Sequence, residues 1–114
     1  MIVYVDTSAA LKLVVEEAES TALAEELERR RSSGDRLVAS MLIHTEMHCA
    51  ANRHPEIVDH EAVFDTLSVI ALVGIEGGDL TTAPLLPGTL RSADAIHLAV
   101  ALRVDARVIV AYDT

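Results

Sequence analysis

Ile2-Val3-Tyr4-Val5-Asp6-Thr7-Ser8 sets four β-branched or aromatic residues in a row, then an acid and two hydroxyls. An unbroken apolar run of that length reads as a strand covered on both faces, the habit of parallel sheets. Asp6 closes the run at the strand's carboxyl end, and Thr7 or Ser8 can cap a short helix reaching about Val15.

The same alternation continues outward. Glu17 to Arg31 reads as a helix with Leu23 and Leu27 spaced for an inward face, stopped by Ser32-Ser33-Gly34-Asp35. Leu37 to Ala39 is a short strand. Ser40 then caps a helix from Met41 to about Arg53, and another helix is predicted from Pro55 to Asp65. Leu67 to Val73 reads as a third strand. Gly74 to Gly88, with its four glycines and two prolines, reads as a loop holding at most one helix near Asp79 to Leu85. Ser92 caps an apolar helix, Ala93 to Arg103, and Arg107 to Tyr112 is a fourth strand that ends at Asp113. Strands alternating with helices imply an α/β fold, a central parallel sheet of about four strands between helical layers. Ligands of such sheets bind beyond the carboxyl ends of the strands, where strand order reverses.

At 114 residues the chain has room for one domain and one core. Tyr4, Phe64 and Tyr112 are its only aromatics, so aliphatic residues must fill that core. No apolar run reaches the length of a membrane span, and no basic region precedes the first apolar stretch. Cys49 is the only cysteine, which fits a reducing cytoplasm.

Four carboxylates, Asp6, Glu46, Asp94 and Asp113, interrupt or close apolar segments. Asp6 can serve as a plain helix cap, Asp94 as a first-turn acid and Asp113 as a turn residue. Glu46 is harder to explain. Its helical neighbours Leu42, Ile43, Cys49 and Ala50 form the expected inward stripe, where an unpaired Glu is rare; an arginine partner is the plain alternative. Charges so placed need compensation, and one lysine with eight arginines offers little nearby. A divalent metal would supply it. Oxygen-only ligands suit Mg²⁺ or Mn²⁺, and clustered acids around such ions suit phosphodiester chemistry. The net charge of −9 counts against tight nonspecific binding of nucleic acid, although setting those four acids aside leaves −5 on the remainder.

Other patterns lead nowhere. His44 and His48 have a zinc-ligand spacing, but Thr45 stands where a zinc protease needs its Glu, so both are expected to face solvent. Ser8 stands where a phosphatase with a strand-end aspartate would need its second Asp. The glycines of Gly74 to Gly88 spell no phosphate-binding loop, and Arg29-Arg30-Arg31 suits a helix end.

Val3-Tyr4-Val5-Asp6-Thr7-Ser8-Ala9, Glu46 in its helix, Leu90-Arg91-Ser92-Ala93-Asp94-Ala95-Ile96-His97-Leu98-Ala99, and Ala111-Tyr112-Asp113 occur in that order. Together they resemble the PIN-domain ribonucleases, in particular VapC-type toxins of toxin–antitoxin pairs. The resemblance implies a three-layer α/β/α sandwich and Mg²⁺- or Mn²⁺-dependent hydrolysis of RNA. It implies Asp6, Glu46, Asp94 and Asp113 as catalytic, metal-binding acids, with Thr7 or Ser8 as the supporting hydroxyl. It also implies a homodimer and an antitoxin whose tail fills the active-site groove. Members usually continue past the last acid with a helix and a strand, so residues 1–114 are expected to be a single domain truncated after that motif. Two rival readings stay open: a PIN-like module that binds antitoxin or RNA without cutting, and a small-molecule phosphohydrolase.

Overall fold

The computed structural model describes residues 1–15 and 19–112. β1 (Ile2–Val5) leads directly into α1 (Thr7–Val14), then α2 (Ser20–Ser32), β2 (Arg36–Ser40) and α3 (Leu42–Arg53). α4 (His60–Leu67), β3 (Ala71–Val73), α5 (Gly77–Thr82), α6 (Ser92–Arg103) and β4 (Val108–Val110) follow. The strands form one parallel sheet in the order β3-β2-β1-β4, with Val3 opposite Leu37 on one side and opposite Val108 on the other.

Alternation along the strands divides the core in two. Val3 and Val5 of β1, with Leu37 and Ala39 of β2, face a layer built from α1 to α4. Ala9, Ala10, Leu23, Leu27, Ile43, Met47 and Val63 fill that layer. Tyr4 points the other way, against Val100 and Ala101 of α6. Period-two side-chain direction thus converts one apolar strand into contacts with both helical layers, giving the expected three-layer sandwich.

Several boundaries differ from the sequence reading. The helix predicted from Pro55 begins at His60, because Asp59 is the residue whose carboxylate accepts the Glu61 N–H and caps it. β3 starts at Ala71 rather than Leu67, which completes α4 and is buried with it. The short helix expected near Asp79 begins two residues earlier, at Gly77, and passes into a 3-10 turn at Ala83–Leu85. Ser92 is the first residue of α6, not its cap. Met41, not Ser40, immediately precedes α3, but the Ser40 hydroxyl still accepts the Leu42 N–H at the helix start. Glu17, the predicted start of the second helix, lies outside the described residues.

Two devices tie the loops to this frame. Gly34, at φ +94°, turns the chain out of α2 and into β2, a conformation open chiefly to glycine. Asp79, 3% exposed, is gripped by Arg103, whose Nε lies 2.8 Å and 3.1 Å from its two oxygens. Arg103 also donates to the Gly74 carbonyl, so α5 and its leading loop are fastened to α6. The arginine holds the Asp79 carboxyl below its ordinary range. Arg30 and Arg31 pair with Glu26 and Glu28 of their own helix. No helix among the described residues is long and apolar enough to cross a membrane.

Candidate active site

β1 lies between β2 and β4: the chain leaves it for β2 and then β3 on one side, and crosses back from β3 to pair as β4 on its other side. A crevice opens at the carboxyl end of β1 for that reason. Asp6 stands there with extended backbone (φ −75°, ψ 154°) and caps α1. Its Oδ2 accepts the Ser8 N–H at 3.1 Å and the Ser8 hydroxyl at 2.6 Å, while its own N–H donates to Val110 O at 2.9 Å. The Ser8 oxygen accepts the Tyr112 N–H at 2.9 Å, so one hydroxyl joins the first acid to the chain leaving β4. Among the described residues no hydrogen bond reaches Asp6 Oδ1.

The crevice encloses about 380 Å³. Tyr4, Asp6 and Ser8 form one wall, Leu90, Asp94, His97 and Leu98 another, and Ile109, Ala111 and Tyr112 close it. Asp94, in the first turn of α6, is exposed and enters no hydrogen bond or ion pair among the described residues.

Glu46 is held to one side. Its Oε1 accepts from the Thr7 hydroxyl at 2.8 Å and faces His97 Nε2 at 2.5 Å; Thr7 Oγ1 and His97 Nε2 are themselves 3.1 Å apart. Burial pushes the Glu46 carboxyl up, but the bonds from His97 and Thr7 outweigh it and leave the group below its ordinary value. The two hydroxyls after Asp6 therefore divide their work: Ser8 supports Asp6 and Thr7 supports Glu46. On α3 the buried stripe is Ile43, Met47, Ala50 and Ala51, an i, i+4, i+7, i+8 set. Cys49, expected on that stripe, falls outside it and is exposed.

His97 and Tyr4 are the participants that the sequence reading missed. His97 is 3% exposed and Tyr4 1% exposed. The Tyr4 hydroxyl lies 2.6 Å from His97 Nδ1 and accepts the Ser40 N–H at 3.0 Å. Burial raises the Tyr4 phenol to about 12, with the Ser40 amide pulling the other way. A signal for both was present: buried imidazole and phenol groups need partners, and His97 is the one titratable residue between Ala95 and Leu102.

Asp6 and Asp94 thus share one crevice, Glu46 is bound to Thr7 and to the crevice residue His97, and Asp113 lies outside the described residues. Among the described residues, no three acid, histidine or cysteine side chains converge into a metal cage. The donor set still fits a hard cation. Asp6 keeps one carboxylate oxygen uncommitted and Asp94 keeps both, and carboxylate oxygens are the ligands hard cations favour. His44 is exposed as expected, but His48 is half-buried, its Nδ1 lying 2.6 Å from Nδ1 of His60, which meets Asn52.

The PIN domain family model matches residues 3–114. Ribonuclease VapC47 of Mycobacterium tuberculosis (strain CDC 1551 / Oshkosh) is 33% identical over an aligned length of 105 residues, a match that covers 90% of this chain and 76% of that protein. The crystal structure of Mycobacterium tuberculosis VapC20, described as a sarcin-ricin loop cleaving toxin, superposes with a TM-score of 0.73 at 19% identity. That match covers 97% of this chain and 89% of VapC20. VapBC2 from Rickettsia felis, solved with a promoter DNA fragment, matches at a TM-score of 0.75 and 11% identity over 99% of this chain and 100% of that one. At such identities the two structures speak for the fold alone.

Proposed function

The chain belongs to the PIN domain family, and from that membership we propose that it is a metal-dependent endoribonuclease, the toxin of a toxin–antitoxin pair. The observation that carries the proposal is the placement of Asp6 and Asp94 on two walls of one crevice at the carboxyl end of β1. Asp6, Asp94, Asp113 and Glu46 would hold Mg²⁺ or Mn²⁺. When bound, such ions activate water and offset charge on the phosphorus oxygens of an in-line displacement.

The protein's own residues prepare the site. Ser8 commits one oxygen of Asp6 and leaves the other without a hydrogen bond among the described residues. Thr7 does the same for Glu46. Leu90, Leu98 and Ile109 line the crevice with apolar surface, which strengthens interactions between the acids and a bound charge.

Residues 1–114 act as one domain, in the cytoplasm, on RNA. A homodimer and an antitoxin carrying arginine complete the system; an arginine reaching these acids would form charge-assisted hydrogen bonds and block the crevice.

The rival reading is a module that binds antitoxin or RNA without cutting it. Incubating the protein with RNA and Mg²⁺ or Mn²⁺, with an EDTA control, separates the two. Metal-dependent scission supports the nuclease. Retention of intact RNA supports the binding module, and turnover of a chromogenic phosphomonoester in place of RNA supports a phosphohydrolase.

A further inference from the structure

We propose that His97 is the positioning residue for Glu46, and that Tyr4 selects the histidine tautomer that does it. The consequence for catalysis rests on the ribonuclease reading; the geometry does not.

The hydrogen-bond partners fix where the protons sit. Ser40 donates its backbone N–H to the Tyr4 oxygen at 3.0 Å. The Tyr4 hydroxyl hydrogen is then available for His97 Nδ1 at 2.6 Å, which makes Nδ1 an acceptor. A neutral imidazole carries one N–H, so the hydrogen sits on Nε2, and it faces Glu46 Oε1 at 2.5 Å. In this polarity every donor has an acceptor. With the hydrogen on Nδ1 instead, two donors would point at the Tyr4 oxygen, its own hydrogen would have no partner, and Nε2 would meet a carboxylate with no proton between them.

The location of His97 supports the same conclusion. The α6 residues buried around it are Ala95, Ala99, Val100 and Ala101. An aliphatic side chain would suit that surface without any polar group to satisfy. The imidazole instead spends both nitrogens, one on a tyrosine anchored to β2 and one on a glutamate of α3. Glu46 Oε1 receives both Thr7 and His97, whereas no hydrogen bond reaches Oε2 among the described residues. The carboxylate is fixed in rotation, with Oε2 the oxygen left for a ligand.

The test has two arms. In metal-free protein labelled with ¹⁵N-histidine, the five histidines give separate ring signals, and His97→Gln identifies the relevant one. His97 should show a protonated Nε2 and a bare Nδ1. Glu46→Gln should displace its Nε2 proton signal, and Tyr4→Phe should mix the tautomers. A protonated Nδ1, or an Nε2 signal indifferent to Glu46→Gln, overturns the proposal. In the activity arm, His97→Leu should lower kcat about 10²-fold, the scale expected when a reacting group is misplaced. KM for RNA should stay within about twofold, since the lost contact does not touch substrate. His97→Gln, whose amide can still donate to Oε1, should recover most of the rate. Equal losses in the two variants, or parental kcat in His97→Leu, overturn the positioning role. Should the parent cut no RNA while the ring signals behave as stated, the ribonuclease reading fails and the positioning geometry stands.

Discussion

His97 and Glu46 are 51 positions apart in the chain and 2.5 Å apart in space. Their helices, α6 and α3, cover opposite faces of the sheet, so the contact passes over the strands' carboxyl edge. It locks the two outer layers together at the point where the candidate site opens.

Asp94 tests the site with little risk to the fold. It is exposed and unpaired among the described residues, so Asp94→Asn should change stability by no more than about 0.5 kcal/mol. Loss of one oxygen ligand from a weakly held ion should lower RNA cleavage by about 10²-fold or more. Initial rates in Mg²⁺ alongside urea denaturation check both statements; cleavage at the parental rate would remove Asp94 from the site.

Ser8 offers a complementary probe. Its hydroxyl donates to Asp6 and accepts from Tyr112 N, so Ser8→Ala severs both links. The expected cost is about 1–3 kcal/mol in urea unfolding, because an amide and a carboxylate each lose a partner. Mn²⁺ binding followed by calorimetry should weaken in the same variant. Unchanged stability together with unchanged affinity would deny the bridge any role.

Metal should stabilise the native state by mass action. At a concentration 100 times Kd, Mg²⁺ or Mn²⁺ should add about 2.7 kcal/mol and raise Tm. Asp6→Asn and Asp94→Asn should each suppress that response in thermal melts. A melting temperature indifferent to both ions would count heavily against a metal site.

Tyr4 and Glu46 should shape opposite ends of the pH profile. Burial raises Tyr4 from 10.0 to about 12. The folded state therefore holds the phenolic proton longer, and this contribution is complete below pH 10 and lost as pH climbs through about 12. Glu46 is depressed below 4.5 despite its burial, by the bonds from His97 and Thr7. Its contribution is complete above pH 4.5 and is lost as pH falls through the depressed value. Urea midpoints against pH should show a shallower alkaline decline in Tyr4→Phe and a shallower acid decline in Glu46→Gln. Profiles parallel to the parent would contradict the network.

The parts of the fold that could be read from the chain are those where one pattern dominates. β1 is all β-branched or aromatic, and α6 has an acid in its first turn before an apolar run; both were found where expected. The errors fall where two patterns compete. Ile57, Val58, Leu67, Val69 and Ile70 are apolar enough to extend a helix or a strand, but the Asp59 cap and the end of α4 assign them elsewhere. Glu46 was legible as a charge on an inward stripe. His97 does not stand out in the sequence, because helical periodicity counts it only as an interruption, while its partners come from β1, α1 and α3. Pairings of that range depend on tertiary placement that local spacing does not encode.

The hydroxyl link between Ser8 and Tyr112 closes a loop of 104 residues. Contacts of such range are slow to form, since the chain must lose most of its freedom before they stabilise anything. A nascent chain emerging from the ribosome would therefore hold its first acid without the far wall of the crevice until β4 had cleared the exit tunnel. The order of synthesis therefore sets when the crevice acquires its last wall.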